Sequence, residues 1–320
     1  MKEIGGYFEL ELKKKKEYHH DALKLNSGRN CLKYILSTVP PHKVYVPCYI
    51  CDSLLEPLVE LGIKYEFYNI DAHFEILEEI DMKSNDRILY VNYFGMKSCY
   101  IDDLSKKYGT KLIVDNTQAF FENPILGIDT IYSPRKFFGV SDGGYLYTRN
   151  FHPLYGKLEV DYSVEYAEQL LGRIDKNASF YYTNYQKSEN RLSHQPIALM
   201  SKLTQRILNS IDYHEIQKIR NSNFSYLHEH LVSLNLYQVE PALIKVPMIY
   251  PFLTANNALR EKLIEAKIYV ARYWNEVLQR EVVTEIEKNF VDILPLPIDQ
   301  RYGRREMKKI VAIIKESVYE

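Results

Sequence analysis

Three short runs of this sequence hold residue types at spacings that could carry chemistry. Asn26-Ser27-Gly28-Arg29-Asn30 leads into an apolar-periodic stretch from Cys31 to Thr38. Ser and Asn are favoured helix caps, and Gly28 would let an anion approach free N–H groups at the positive end of a helix. A phosphate suits that description, and so does a plain capped helix. Val114-Asp115-Asn116-Thr117-Gln118-Ala119 places a carboxylate at a strand end with an amide one short turn later. The pair could anchor a charged heterocycle nitrogen and a neighbouring hydroxyl, although Asp115 would serve equally as a helix cap. Tyr132-Ser133-Pro134-Arg135-Lys136-Phe137-Phe138 sets Lys136 between a strand and two Phe residues, and Asp142-Gly143-Gly144 follows. Desolvation there would lower the lysine pKa and leave a neutral amine able to form an imine. A surface lysine with a snorkelling stem is the competing reading.

These runs need an alternating α/β frame to bring them together. The pattern predicts strands at Lys43 to Val46, Tyr65 to Tyr68, Ile88 to Tyr93, Leu112 to Asp115, Thr130 to Tyr132 and Tyr145 to Tyr147. Helices are expected at Ser53 to Leu61 and Ile101 to Tyr108, with Gly62 and Gly109 as stop signals. Such alternation implies a mainly parallel sheet, whose ligands bind beyond the carboxyl ends of the strands. Asp115, Asn92 to Gly95, and Pro134 to Lys136 all fall there. Residues 151 to 190 lack periodicity and include the patch Tyr181-Tyr182-Thr183-Asn184-Tyr185, read as an excursion over the mouth of the site. A long helix is expected from about Pro196 to Leu227. Strand-like Ile249 to Phe252 and helices at Ala258 to Ala266 and Arg305 to Val318 form a smaller α+β unit. The expected division is a large unit, 1–227, and a small C-terminal one, 228–320.

Bulk composition bounds the reading. With 320 residues, two packed units are favoured over one core. Lys plus Arg number 41 against 42 Asp plus Glu, so no global field draws the chain to nucleic acid or to an anionic membrane. The block Lys13 to Lys16 reads as a solvated segment. The opening Met1 to Gly5 has no secretory pattern and no stretch approaches the roughly 18 apolar residues of a membrane span, so a cytoplasmic protein is expected. Cys48-x-x-Cys51 lacks a second ligand pair and reads as two buried thiols, with no metal.

The order of these motifs resembles the DegT/StrS-type pyridoxal-phosphate aminotransferases acting on nucleotide-linked keto-sugars, within the aspartate-aminotransferase fold (fold type I). Asp115-x-x-Gln118-Ala119, and Lys136 followed six residues later by Asp142-Gly143-Gly144, match that family in register. Val46-Pro47, Val91 to Gly95, Asn184-Tyr185 and Leu294 to Pro297 extend the likeness over nearly the whole chain. The resemblance implies that Lys136 holds pyridoxal 5'-phosphate as a Schiff base and moves protons, Asp115 pairs with the pyridine nitrogen, and Gln118 contacts the ring hydroxyl. It implies that Gly28 and Arg29 cradle the phosphate, and that Asn184 reaches the cofactor of a second subunit in a homodimer. The amino donor would be glutamate and the acceptor a nucleotide-linked keto-sugar. A lyase, a dehydratase, a non-sugar transaminase and a non-catalytic binding protein are the alternatives on this scaffold. Several positions depart from the family. Ile131 stands where it has a phosphate-binding Ser, leaving Thr130 or Ser133 to substitute; Asn92 replaces a His and Gln186 an Arg. The ring-stacking aromatic falls near Cys51, leaving Tyr49 or Tyr93 as candidates.

Overall fold

The computed structural model describes residues 4–153, 155–241 and 244–319; Met1 to Glu3 lie outside them. A seven-stranded sheet organises the first two thirds. Its strands are β1 (Leu23–Leu25), β2 (Lys43–Pro47), β3 (Lys64–Tyr68), β4 (Arg87–Val91), β5 (Leu112–Asp115), β6 (Asp129–Tyr132) and β7 (Gly144–Tyr147). The order is β1-β7-β6-β5-β4-β2-β3, and β3, β2, β4, β5 and β6 run parallel with β7 reversed. The inner strands are buried along nearly their whole length, as parallel strands covered on both faces must be. Edge strand β3 is mostly exposed and carries Lys64 and Glu66, charges that discourage further pairing.

The expected strands are present, with two differences. The strand from Ile88 stops at Val91, and Tyr93–Gly95 turns as a 3-10 segment with Phe94 at φ 57°. Strand β1 was not expected; at three residues it is too short for a period-2 signal and exists by pairing with β7. Helices α1 (Gly28–Thr38), α2 (Glu56–Glu60) and α3 (Ser98–Tyr108) connect the strands. Gly62 and Gly109 both take positive φ just past their helices.

Residues 151 to 190 contain two helices, α4 (Glu168–Asp175) and α5 (Tyr182–Asn190). The single helix expected from Pro196 is two: α6 (Lys202–Leu208) and α7 (Tyr213–Leu231). Ser201 caps the first by accepting from Thr204 N at 3.1 Å, and Asp212 caps the second by accepting from Glu215 N at 3.2 Å. Residues 196 to 200 are instead extended, with Leu199 bridging to Leu25 and Val160. Apolar periodicity runs through such a short break and hides it.

The C-terminal part pairs β8 (Tyr250–Phe252) with β9 (Leu294–Leu296) and carries α8 (Leu259–Glu265), α9 (Glu285–Phe290) and α10 (Arg304–Tyr319). Two apolar clusters result. The larger fills both faces of the main sheet, and the smaller joins α7, α8, α10 and the β8/β9 pair.

The start of β7 is packed against the start of α1. A Cβ on Gly144 would lie 2.5 Å from the Ser27 carbonyl oxygen and 2.8 Å from Cys31 Sγ. Gly143 N donates to Asn26 O at 2.7 Å. Beside them Asp142 is fully buried, accepting from Ser201 N and Ser201 Oγ, each at 2.7 Å, and from the Thr204 hydroxyl. The Asp-Gly-Gly run therefore ties β7, α1 and α6 together. Replacing Gly144 with Ala forces backbone to move and should cost about 1–3 kcal/mol of stability, read as a lower urea midpoint; an unchanged midpoint would refute this packing account.

Candidate active site

The carboxyl ends of β2, β4, β5 and β6 point the same way, and the start of α1 meets them there. Asp115 closes β5 and is 2% exposed. Its Oδ1 accepts from Thr117 N at 2.8 Å in a local Asx turn, and the Thr117 hydroxyl adds a second bond. Burial pushes the Asp115 carboxyl above its usual range, while the Thr117 bonds and the nearby Lys136 ammonium pull the other way. Lys136 and Asp115, 21 positions apart in sequence, are thus brought within electrostatic reach of one another at the ends of adjacent strands β5 and β6.

Lys136 ends the 3-10 turn Pro134–Lys136 and is exposed, contrary to the expected desolvation between two Phe residues. Phe137 and Phe138 instead turn into the core, against Phe120, Phe121 and Tyr213. Ser133, which precedes the turn, is buried and makes no capping bond.

Gln118 is buried, and its Oε1 accepts from Phe94 N at 2.7 Å. A backbone N–H as partner fixes which end of the amide is oxygen and leaves the NH2 group as the donor for another partner. Gly95 lies over the same turn, its virtual Cβ 3.1 Å from Gln118 O.

At α1, Ser27 Oγ accepts from Asn30 N at 3.1 Å and Ser27 O from Cys31 N at 3.0 Å. The N–H groups of Gly28 and Arg29 remain as the helix-start donors outside the ladder. Asn26 and Asn30 both donate to Pro196 O, at 3.2 and 2.8 Å, so the extended segment clasps this helix start. Gly28 faces the strand ends: its virtual Cβ would lie 3.4 Å from Thr117 Cγ2 and 3.8 Å from Ile131 Cγ2. The Arg29 side chain reaches towards Glu56 (3.7 Å), and its Nε is buried without a hydrogen-bond partner among the described residues. Farther out, Glu56, Glu60 and His194 present ligand-type atoms within 4.8 Å of one another, but Lys33 already holds Glu60 at 2.5 Å.

Two expected stacking residues have other work. Tyr49 and Tyr93 are each 0% exposed within an aromatic cluster of Phe74, Trp274 and Phe290. Tyr49 OH donates to Phe290 O at 3.0 Å and Tyr93 OH to Tyr49 O at 2.8 Å. Neither presents a ring face to a ligand, so both are corrected from stacking to packing. Asn184 donates to Glu168 Oε2 at 2.6 Å within its own chain. Asn92 accepts from Lys97 N at 2.8 Å and donates to Ser98 Oγ and Asn116 Oδ1, organising the start of α3. Cys48 is buried and Cys51 only partly so, its Sγ against Ser53 Oγ. Thr117 is the residue that the sequence reading missed; the signal available was its place two residues after Asp115, where Asx turns draw their N–H donor.

The fold and this arrangement define an α/β protein of the aminotransferase architecture. Among solved structures, TlmJ, an aminotransferase from Streptoalloteichus hindustanus, matches at 12% identity, covering 96% of this chain and 92% of that one with a TM-score of 0.66. NtdA from Bacillus subtilis, solved with bound cofactor PMP, matches at 15% identity over 93% of this chain and 73% of its own (TM-score 0.66). DesV from S. venezuelae, in complex with a ketimine intermediate, matches at 16% identity over 92% and 84% (TM-score 0.62). No family model matches the sequence, and no curated protein does.

Pyridoxal phosphate fits the donor set on this chain. A helix start with free N–H groups and an Arg29 Nε that is ion-paired to Glu56 but makes no hydrogen bond suit an anion, and a buried carboxylate within electrostatic reach of an accessible amine suits a cationic ring with an aldehyde. The two methyl groups facing Gly28 supply no donor to a phosphate.

Asp115 sets a pH dependence. A folded pKa above the unfolded one near 3.9 means that the folded state holds the proton more tightly, so stability falls as pH rises through that interval. Asp115→Asn keeps an acceptor for Thr117 N and removes the buried charge. Cofactor-free Asp115→Asn should therefore melt no lower than the unsubstituted protein at neutral pH, with any advantage vanishing in acid. Melting curves of the two proteins at pH 4 and 7.5 check this, and a lower midpoint for the variant at neutral pH would contradict it.

Proposed function

We propose that this chain is a pyridoxal-phosphate-dependent aminotransferase that takes the amino group of glutamate and delivers it to a nucleotide-linked keto-sugar. The observation that carries the reading is the Lys136 ammonium within electrostatic reach of the buried Asp115 carboxylate, at the start of α1. The bound forms of NtdA and DesV, on the same fold, support it.

When bound, the cofactor supplies an electron-accepting ring and an aldehyde carbon for exchange with amines. The chain's own residues do the rest. Lys136, exposed at the end of its 3-10 turn, would hold the cofactor through its amine and, when free, would carry the substrate's α-proton on Nζ. Asp115, fixed by Thr117, would favour positive charge on the ring nitrogen, because its own burial makes a cationic neighbour favourable. Gln118 offers its NH2 to the ring hydroxyl. The Gly28 and Arg29 N–H groups would take the phosphate oxygens, with Ser133 beside the turn as a further candidate.

We read the working unit as a homodimer. Leu171, Ile174, Phe180 and Tyr182 on α4, α5 and their connection are exposed, Ile174 to 82%, an apolar patch suited to a second copy. Asn184 lies on the same hairpin and would exchange Glu168 for the partner's phosphate.

A lyase, or a transaminase of a non-sugar acceptor, is favoured over the sugar reading by one feature: Ile131 and the Thr117 methyl, rather than hydroxyls, face Gly28. Glutamate decides between lyase and transaminase, since only a transaminase converts it to 2-oxoglutarate while the yellow colour is lost.

Purified protein incubated with pyridoxal phosphate should turn yellow, and borohydride should fix a pyridoxyl group on the peptide containing Lys136. Lys136→Ala should stay colourless to borohydride fixation and lose about a hundred- to ten-thousandfold in the glutamate half-reaction; retained turnover in that variant would sink the assignment. Ile174→Asp should shift sedimentation from dimer to monomer, and an unsubstituted protein that sediments as a monomer would remove the shared site.

A further inference from the structure

Arg220, on α7, is the largest fully buried side chain, at 1% exposure, and it has no carboxylate in hydrogen-bond contact among the described residues. Its guanidinium lies 4.6 Å from the centre of the Phe137 ring. Nε donates to Gln300 Oε1 at 3.1 Å, and Nη1 donates to Met248 O at 3.0 Å and Pro247 O at 3.3 Å. The nearby carboxylate, Asp299, is held by Arg301 through two bonds of 2.7 and 2.8 Å. Asp299 attracts the guanidinium from a distance without bonding it, and a charge kept this deep whose hydrogen bonds all go to neutral groups is costly, which asks for a reason beyond filling space.

The bonds run on in both directions. Gln300 Nε2 donates to Phe137 O at 2.7 Å, the residue after Lys136. On the other side Met248 N donates to Phe94 O at 3.1 Å, and Phe94 N donates to Gln118 Oε1 at 2.7 Å. One unbroken chain of hydrogen bonds thus joins Gln118 to the Lys136 turn through Phe94, Met248, Arg220 and Gln300. None of these four residues lies on β5 or β6, the strands that lead to Asp115 and the Lys136 turn.

We propose that Arg220 is a positioning residue that, with Gln300, sets the separation of Gln118 and the Lys136 turn by bracing both from α7 and the segments around Met248 and Gln300. What the braced site binds rests on the function proposed above; the brace itself does not. The planar fork is needed because two acceptors in different directions, Gln300 Oε1 and Met248 O, are held at once, which an ammonium on a flexible stem does poorly.

The test uses the full chain with three substitutions, Arg220→Lys, Arg220→Met and Gln300→Met, and Ile314→Ala as a destabilised control from the smaller apolar cluster. Hydrogen exchange is followed without cofactor at the amides of Phe137 and Phe138, and pyridoxal phosphate is then titrated by absorbance with the pH midpoint of the bound chromophore recorded. The expected result is faster exchange at those amides in all three variants, and not in the control. Pyridoxal phosphate should bind roughly ten- to a hundredfold more weakly, with a displaced chromophore midpoint. Should the Arg220 variants not fold, Gln300→Met decides alone. Unchanged exchange in folded Gln300→Met, or full recovery of exchange and midpoint by Arg220→Lys, overturns the proposal. If the unsubstituted protein binds no pyridoxal phosphate, the functional reading fails while the exchange arm still judges the brace.

Discussion

The structure is organised around one buried carboxylate. Asp115 ends the central strand with almost no exposure, and removing a carboxylate from water is costly unless bonds and charge compensate. Compensation comes from an Asx turn to Thr117, made within the same loop, and from the Lys136 ammonium brought in by the adjacent strand. The first is local and the second requires the parallel pairing of β5 with β6 in register, where Asp115 sits opposite Ile131. A shift of one residue in that register would turn the lysine turn and the carboxylate to different faces of the sheet. Sheet register and site chemistry are thus one constraint.

Much of the frame was legible from residues alone because it is periodic. The run Leu112 to Asp115 is a strand with those bounds, and Gly109 ends the helix before it at positive φ. The grouping of Asp115, Lys136 and the Asn26 to Asn30 turn at one end of the sheet follows from strands that run parallel. What escaped is what depends on partners distant in sequence. Strand β1 exists only by pairing with β7, and the break between α6 and α7 is made by caps inside a continuing apolar pattern. Phe137 and Phe138 follow Lys136 in sequence, yet the 3-10 turn sends their rings into the core and the lysine outwards. Tyr49 and Tyr93 look like ligand-stacking rings by position, but their hydroxyls find backbone acceptors inside an aromatic cluster, which no single-sequence pattern can show.

Positions that differ from the DegT/StrS pattern are not loose ends in this fold. Asn92 is saturated with bonds that start α3, and Ile131 is fully buried, its methyl beneath Gly28. Such replacements change the chemistry offered at the helix start without disturbing its packing. Hydrogen bonds at that point come from the backbone, whose donors do not vary with side-chain identity.

The clasp of Asn26 and Asn30 on Pro196 also carries a temporal meaning. These bonds join positions about 170 residues apart, and Asp142 adds a second long closure to Ser201. On a ribosome every strand of the main sheet is made before residue 196, whereas the clasp on the start of α1 cannot close until that residue has been synthesised and has returned to it. The start of α1 thus depends on a segment translated after the whole of the sheet beside it.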